Sequence, residues 1–511
     1  MRIDKEFKKS GYFWLPESPD KKIFGTLTIL NGGSTELEVI GLFHDGIKAI
    51  HDDNVNFKMI IGFVEDEGYV TLLDSFYSKK NISFGAISKS KLVVNCVFSR
   101  VSFEEDKDIL FNTLSFSVDC LDEWVGFTGI NVENNYEARS SVVTYNPIES
   151  ISYSLKNGMR LELGFAHTLP GYPNITEVKI TQRAYFRLVS DEPRPLLDFT
   201  SIIYKITNFL CFAVDETVSI KNIYGSINKA PQTSIPPTYN IPIPIYYQSS
   251  PFVEIEPKVN FHRMLFTFGL IKNNFEVVIN NWIDAYSILE PAFNLYFSTK
   301  TNAQKYLEGK FLALAQGLET YHRRTSDEKL MDEIQFQTLV ESILQHCPEE
   351  NKEWLSMRLM HGNEIPLRKR LTQLIKPFKR HIGSTKVMNK FISTITDTRN
   401  YLTHYDKSSQ SKAAQGIELY PICLKMESIF QLNFMKTICF TDGEIDNAVE
   451  NCFSLKSKLR YENPLFNEPH LASIPEPTSQ QDPEPIPQEA LELSPTTELV
   501  TQKPEDRIDN T

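Results

Sequence analysis

The sequence predicts an α+β multidomain protein: a β-rich, sandwich-like N-terminal domain, an all-α helical bundle and a disordered acidic tail. Three observations carry this. Short alternating or β-branched runs, punctuated by Gly, Asn and Asp, fill residues 10–262. After about Phe261 the apolar period changes to that of a helix. From Asn463 onward the chain holds nine prolines, ten acidic residues and two basic ones. Such a segment cannot bury enough apolar area to offset its backbone entropy. The expected limits are 1–262 for the β-rich domain, 263–299 for a helical connector, 300–462 for the helical domain and 463–511 for the tail.

Strands are expected at Phe24–Leu30, Leu37–Phe43, Tyr69–Leu73, Lys91–Phe98, Phe111–Val118 and Arg160–Phe165, with one helix at Leu196–Phe212. Seven prolines between Pro231 and Pro257 assign that stretch to an edge or a loop. Helices follow over 263–298, broken at Pro291, and over 302–323, 327–346, 351–361, 366–381, 385–404, 417–438 and 442–460. In 302–323, Leu307, Phe311, Leu314, Leu318 and Tyr321 fall on one stripe. Thr441 and Glu444 form a capping-box pattern for the last helix.

Composition excludes several classes. The 511 residues suit two to four domains, and 41% hydrophobic with 23% charged residues is ordinary for a globular chain. Of the net charge of −12, the tail carries −8, so acidity does not argue against a nucleic-acid partner. No run approaches the ~18–20 apolar residues of a membrane span. The N-terminus lacks the apolar core of a secretion signal, and a cytoplasmic protein without membrane contact is expected. The seven cysteines include no Cys-x-x-Cys pair and read as buried free thiols. No His-Glu-x-x-His motif is present, and neither metal nor cofactor is expected.

The chemistry concentrates in Thr396–Asp406. On a helix capped by Ser384, Met388, Phe391, Ile392, Ile395 and Leu402 form one apolar stripe. Asp397, Asn400 and His404, at i, i+3 and i+7, share the opposite side. Arg399 stands at the stripe edge, about 140° round the helix from His404. An arginine there needs a partner.

Arg399-Asn400-x-x-x-His404 is the pattern of HEPN domains, and its surroundings resemble the ApeA-like HEPN group. Those surroundings include Thr398–Asp406 and the preceding Leu318-Glu319-Thr320-Tyr321-His322-Arg323. The N-terminus is similar to the ApeA N-terminal domain, through Gly11-Tyr12-Phe13-Trp14-Leu15-Pro16, Phe24-Gly25-Thr26-Leu27 and Leu37-Glu38-Val39-Ile40-Gly41. The resemblance covers everything except the tail. It implies metal-independent RNA cleavage, a homodimer or higher even oligomer through the HEPN domain, and anti-phage defence released by an unknown phage-derived trigger, with RNA such as tRNA as target. The residue types suit that chemistry. Histidine transfers protons near neutral pH, and arginine offers a permanent fork to phosphate oxygens. Arg399, Asn400 and His404 are thus the candidate catalytic residues, with Glu319 and Asp397 as candidate supports.

Between Leu367 and Lys390 lie eight basic residues, His381 and no acid. Arg368, Lys369, Arg370, Lys376, Lys379 and Arg380 are candidate RNA contacts, and Tyr401 a candidate base-stacking residue. A purely structural assignment also exists: Arg399 pairs with Glu319 or Asp397, and His404 favours the helix C-terminus. The rival function is a non-catalytic nucleic-acid-binding or oligomerisation protein with a ligand-sensing β-sandwich.

Overall fold

A computed structural model describes residues 1–44, 55–83, 87–105, 109–172, 175–227, 242–301 and 304–460. The expected tail lies outside the described residues. In the first half, alternation places one set of side chains inside a closed barrel. Strands β1 (Phe7–Trp14), β2 (Ile23–Ile29), β3 (Thr35–Ile40), β4 (Asn56–Val64), β5 (Gly68–Asn81) and β6 (Lys89–Ser99) are antiparallel throughout, in the circular order β6-β3-β2-β1-β4-β5. Phe13, Leu27, Leu37, Ile60, Val70, Leu72, Leu92 and Val97 fill the interior. Gly62 has to lack a side chain, because a Cβ there would stand 2.6 Å from the Phe13 ring.

The second sheet takes the order β10 (Ile151–Ser154), β11 (Arg160–Thr168), β12 (Thr181–Pro195), β7 (Leu110–Val118), β13 (Ile220–Ser226) and β14 (Ile243–Tyr247). Strands β8 (Ile130–Asn135) and β9 (Ser140–Tyr145) form a separate hairpin. The β-rich half is therefore a barrel joined edge to edge with a sheet, not a stack of two sheets. The joint is β14, which pairs Ile245 with Phe98 of β6 and Tyr224 of β13 with Pro244. This strand lies inside the proline-rich stretch assigned to an edge or loop. Pro244 is tolerated because the β13 and β6 ladders use different parts of β14.

Helix α1 (Leu196–Val214) covers one face of the second sheet and buries Phe199, Ile203, Ile206, Phe209 and Phe212. At 19 residues it is long and apolar enough to cross a membrane, unlike any run anticipated from the sequence, and 67% of its most apolar window is buried in the protein. Helix α2 (Phe275–Ser298) runs uninterrupted through Pro291. The proline faces solvent, so the carbonyl it leaves unpaired can bond water, while Trp282, Leu289, Phe293 and Tyr296 hold the helix by its buried face.

The remaining helices of eight residues or more among the described residues are α3 (Leu307–Thr325), α4 (Glu333–Gln345), α5 (Glu349–Leu359), α6 (Leu367–Ile375), α7 (Thr385–His404), α8 (Leu419–Thr437), α9 (Asp442–Asn451) and α10 (Phe453–Arg460). The expected helix 366–381 ends early in a 3-10 turn at Lys376–Phe378, where Pro377 lacks the N–H a continuing helix needs. The expected helix 442–460 divides at Cys452, whose backbone is extended.

The stretch 263–299 is core. Phe212 of α1 stacks on Trp282 of α2 at 5.4 Å, and Phe293 meets Phe434 of α8 at 4.7 Å. Beside this aromatic seam lies a buried ion cluster. Asp215, the left-handed cap of α1, accepts from Lys300, Lys458 and Gln431, each at 2.6 Å. Glu427 of α8 accepts from Lys300 at 2.5 Å and Lys458 at 2.6 Å.

Candidate active site

The motif lies on α7, whose local sequence explains its start and stop. Ser384 caps the N-terminus by accepting from the Val387 N–H, and Met388, Ile392, Ile395, Thr398 and Leu402 face the core. The helix stops where Tyr405 turns left-handed, at φ 50°, with its N–H donating to the Tyr401 carbonyl. Buried Thr398 accepts from the Ala414 N–H at 3.0 Å and so fastens the following loop back onto the helix.

Arg399 finds the partner its position demands. Its Nη2 lies 3.4 Å from Oε2 of Glu319 on α3, and its Nη1 donates to the Asn400 Oδ1 at 3.3 Å. The Arg399 side chain keeps 36% of its surface exposed, against 17% for Glu319. Of the two carboxylates considered, Glu319 is used. Asp397 makes no hydrogen bond or ion pair among the described residues.

Glu319 is shared. Its Oε1 accepts from Arg323 Nη2 at 3.1 Å, and Arg323 also pairs with Glu364. Glu364 in turn pairs with Arg370 at 3.3 Å. Three arginines are thus interleaved with two carboxylates. Arg370 additionally donates to His322 Nδ1 at 3.3 Å, which leaves the proton on Nε2 to donate to Gln373 Oε1. Burial, with the charges of Arg370 and Arg323, holds the His322 pKa below its ordinary value against the opposing Gln373 bond. His322 is therefore a neutral structural residue.

His404 projects into solvent at the last residue of α7 and makes no hydrogen bond among the described residues. Two residues on, Asp406 has its pKa lowered by the side chain and backbone N–H of Ser408. Arg399 is brought together with Glu319 and Asn400, while His404 stands one turn beyond Asn400 and about 140° round the helix from Arg399.

The basic strip divides. Arg370, expected to contact RNA, is only 4% exposed and its guanidinium is spent on Glu364, His322 and the Ile365 carbonyl, so it is buried scaffold. Lys369 pairs with Glu328 at 2.7 Å, and Arg380 with Asp446 at 2.7 Å. Arg368 donates to Ser393 on α7 at 2.8 Å while remaining exposed. Lys376 and Lys379 are exposed and without ion pairs among the described residues. Tyr401 is half-buried, its ring edge-on to Tyr405 at 5.4 Å. Among the described residues no three His, Cys, Asp or Glu side chains gather as a metal site.

Glu364 went unanticipated. It lies in a loop 41 residues from its partner Arg323, and no local pattern marks it.

Residues 8–282, more than half of the chain, match the family described as ApeA N-terminal domain 1. The chain belongs to the ApeA family. Residues 312–444 match the Apea-like HEPN domain, a nuclease domain of anti-phage systems, and contain Glu319, Arg399, Asn400 and His404. No curated protein and no solved structure matches the chain. In this ApeA-family protein the two matched regions meet at the aromatic seam, since α2 begins inside the first and packs against α8 of the second.

Proposed function

We propose that this ApeA-family protein is a cytoplasmic endoribonuclease of anti-phage defence that cleaves RNA, such as tRNA, without a metal ion. One observation carries the reading: the helix presenting an accessible, carboxylate-held Arg399 ends in an exposed His404. Cleavage requires one group to take the 2′-OH proton, a second to protonate the departing 5′-oxygen, and a cation to hold the charge that develops on phosphorus. The attacking 2′-oxygen forms the new bond to phosphorus as the bond to the 5′-oxygen breaks. The products are a 2′,3′-cyclic phosphate and a 5′-hydroxyl.

Arg399 fits the cationic role. Its long contact to Glu319 can be exchanged for a bidentate phosphate. A single α7 does not easily focus Arg399 and His404 on one phosphate, because they diverge by about 140°. Two copies of α7 related by a two-fold axis supply two arginines and two histidines to one cleft, one histidine as base and the other as acid. Arg368, Lys376 and Lys379 lead the RNA backbone toward it.

The test is cleavage of total tRNA in excess EDTA by wild-type and His404→Ala protein, with end-group analysis of the products. Metal-independent cleavage leaving cyclic phosphate ends, lost in the variant, is expected. Undiminished cleavage by His404→Ala would overturn the reading, and RNA binding without cleavage would favour the non-catalytic alternative.

A further inference from the structure

Beside the last turn of α7 opens a groove of about 770 Å³, walled by that turn, the start of α3 and the loop at 414–419. Its aromatic lining is Tyr306, Tyr401 and Tyr405. Tyr306 is 78% exposed and Tyr405 64%, so both rings are open to a ligand. Gln304 lies at the rim, and its amide makes no hydrogen bond among the described residues.

Tyr405 provides a second, independent observation. It adopts φ 50° and ψ 33°, a left-handed conformation that glycine or asparagine usually takes at a helix end. A tyrosine there costs on the order of 1 kcal/mol, and the loop pinned by Thr398 and Ala414 holds it in place. The strained residue directly follows His404 and lines the groove, its ring edge-on to that of Tyr401.

The charge of the groove indicates which part of a nucleic acid enters. Its lining includes Lys305 and Glu308, which cancel, whereas the uncancelled cations Lys376 and Lys379 lie on the basic strip. A phosphate gains little in a groove holding a carboxylate. A nucleobase gains a stacking surface and an amide for its edge.

We propose that this groove is a nucleobase subsite that takes one unpaired base next to the cleaved phosphate. The base stacks on Tyr405 and Tyr306 and is read along its edge by Gln304. The inference rests on the nuclease reading for its position beside His404, and it narrows the substrate to RNA with a splayed, single-stranded base. A duplex, whose bases are already stacked, does not fill it.

The experiment uses full-length His404→Ala protein and a fluorescent single-stranded RNA octamer. The same octamer with one abasic position, moved stepwise, and the corresponding duplex serve as comparisons. One abasic position is expected to weaken binding about tenfold, as is Tyr405→Ala, while Tyr405→Phe retains affinity. Tyr306→Ala, at a highly exposed position, repeats the test should Tyr405→Ala disturb folding. Equal affinity for abasic and intact octamers, or Tyr→Ala variants that bind like the parent, would overturn the subsite. Cleavage by otherwise wild-type protein is measured separately. Base-dependent binding without cleavage overturns the nuclease reading and leaves the groove standing. Cleavage with unchanged KM and unchanged cut positions in Tyr405→Ala overturns the groove alone.

Discussion

Two clusters of opposite charges stand in this protein and differ in nearly every respect. At the seam, Asp215 and Glu427 are saturated by lysines at 2.5–2.6 Å and are 5% and 3% exposed. At the site, Glu319 holds its arginines at 3.1–3.4 Å, and Arg323 and Arg399 remain 44% and 36% exposed. Although burial opposes both charges, the lysines hold the Glu427 carboxyl far below its ordinary range, and Asp215 and Glu427 hold Lys300 well above its own. A dry cluster of point charges fixes structure, because any loss leaves an unpaired buried ion. A wet cluster of guanidinium forks can trade a carboxylate for a phosphate at little cost. Chemical identity alone does not separate scaffold from site; solvent access and contact length do.

The contrast is broken most forcefully at the seam. Glu427→Ala is expected to lower the unfolding free energy by about 3–5 kcal/mol, because it leaves Lys300 and Lys458 to share Asp215 alone and removes the carboxylate that Lys310 faces at 3.5 Å. Glu319→Ala is expected to cost only about 1 kcal/mol. Urea denaturation of both variants measures the difference, and equal losses would erase the distinction. At the site the effect moves from stability to chemistry. Arg399→Ala and His404→Ala are each expected to lower RNA cleavage by about 100-fold or more. His404→Ala should keep the unfolding free energy within about 0.5 kcal/mol of wild type. Arg399→Lys should not restore cleavage, because ammonium lacks the planar fork.

Mixing wild-type with His404→Ala protein sharpens the geometry. Equal amounts of the two subunits should retain about a quarter of the cleavage of an all-wild-type sample, because only dimers of two wild-type chains bring both histidines to the shared cleft. Retention of about half would place each site on a single chain.

The smallest effect concerns pH. His322 has a folded pKa below its unfolded value of 6.5. The neutral ring therefore contributes stability above pH 6.5 that is lost as pH falls toward the folded pKa. The urea midpoint should be lower at pH 5.5 than at 7.5, and His322→Gln should flatten that slope. The seam should not share it. Its carboxylate contribution is present above about pH 4.5 and its lysine contribution below about pH 10.5.

What could be read from the sequence was what is local. The limits of α7 at 385–404 followed from the Ser384 cap and one apolar stripe, and both are found. The strands over 24–30, 91–98 and 111–118 followed from alternation. Barrel closure escaped because it depends on β6 meeting both β3 and β5, and the joint to the second sheet escaped because it pairs Cys96 with Tyr247 across most of the domain's sequence. Pro291 misled because its local cost is outweighed by the burial of Trp282, Phe293 and Tyr296, which only the fold creates. At the site, the spacing from Arg399 to His404 was legible and Glu319 could be named as a support. Arg370 was not legible: in a basic run, nothing local distinguishes the one side chain that turns inward.

The aromatic seam governs how this protein can be divided. Phe212, Trp282, Phe293 and Phe434 pack as one layer contributed by both matched regions. A fragment beginning at residue 300 would keep Phe430 and Phe434 while losing the α2 rings that cover them, and would also lose Asp215, the anion for Lys458 and Gln431. A fragment ending at residue 262 would bare the opposite side of the same layer on α1. Neither half is a detachable cartridge, and transplanting the HEPN bundle elsewhere would mean carrying α1 and α2 with it.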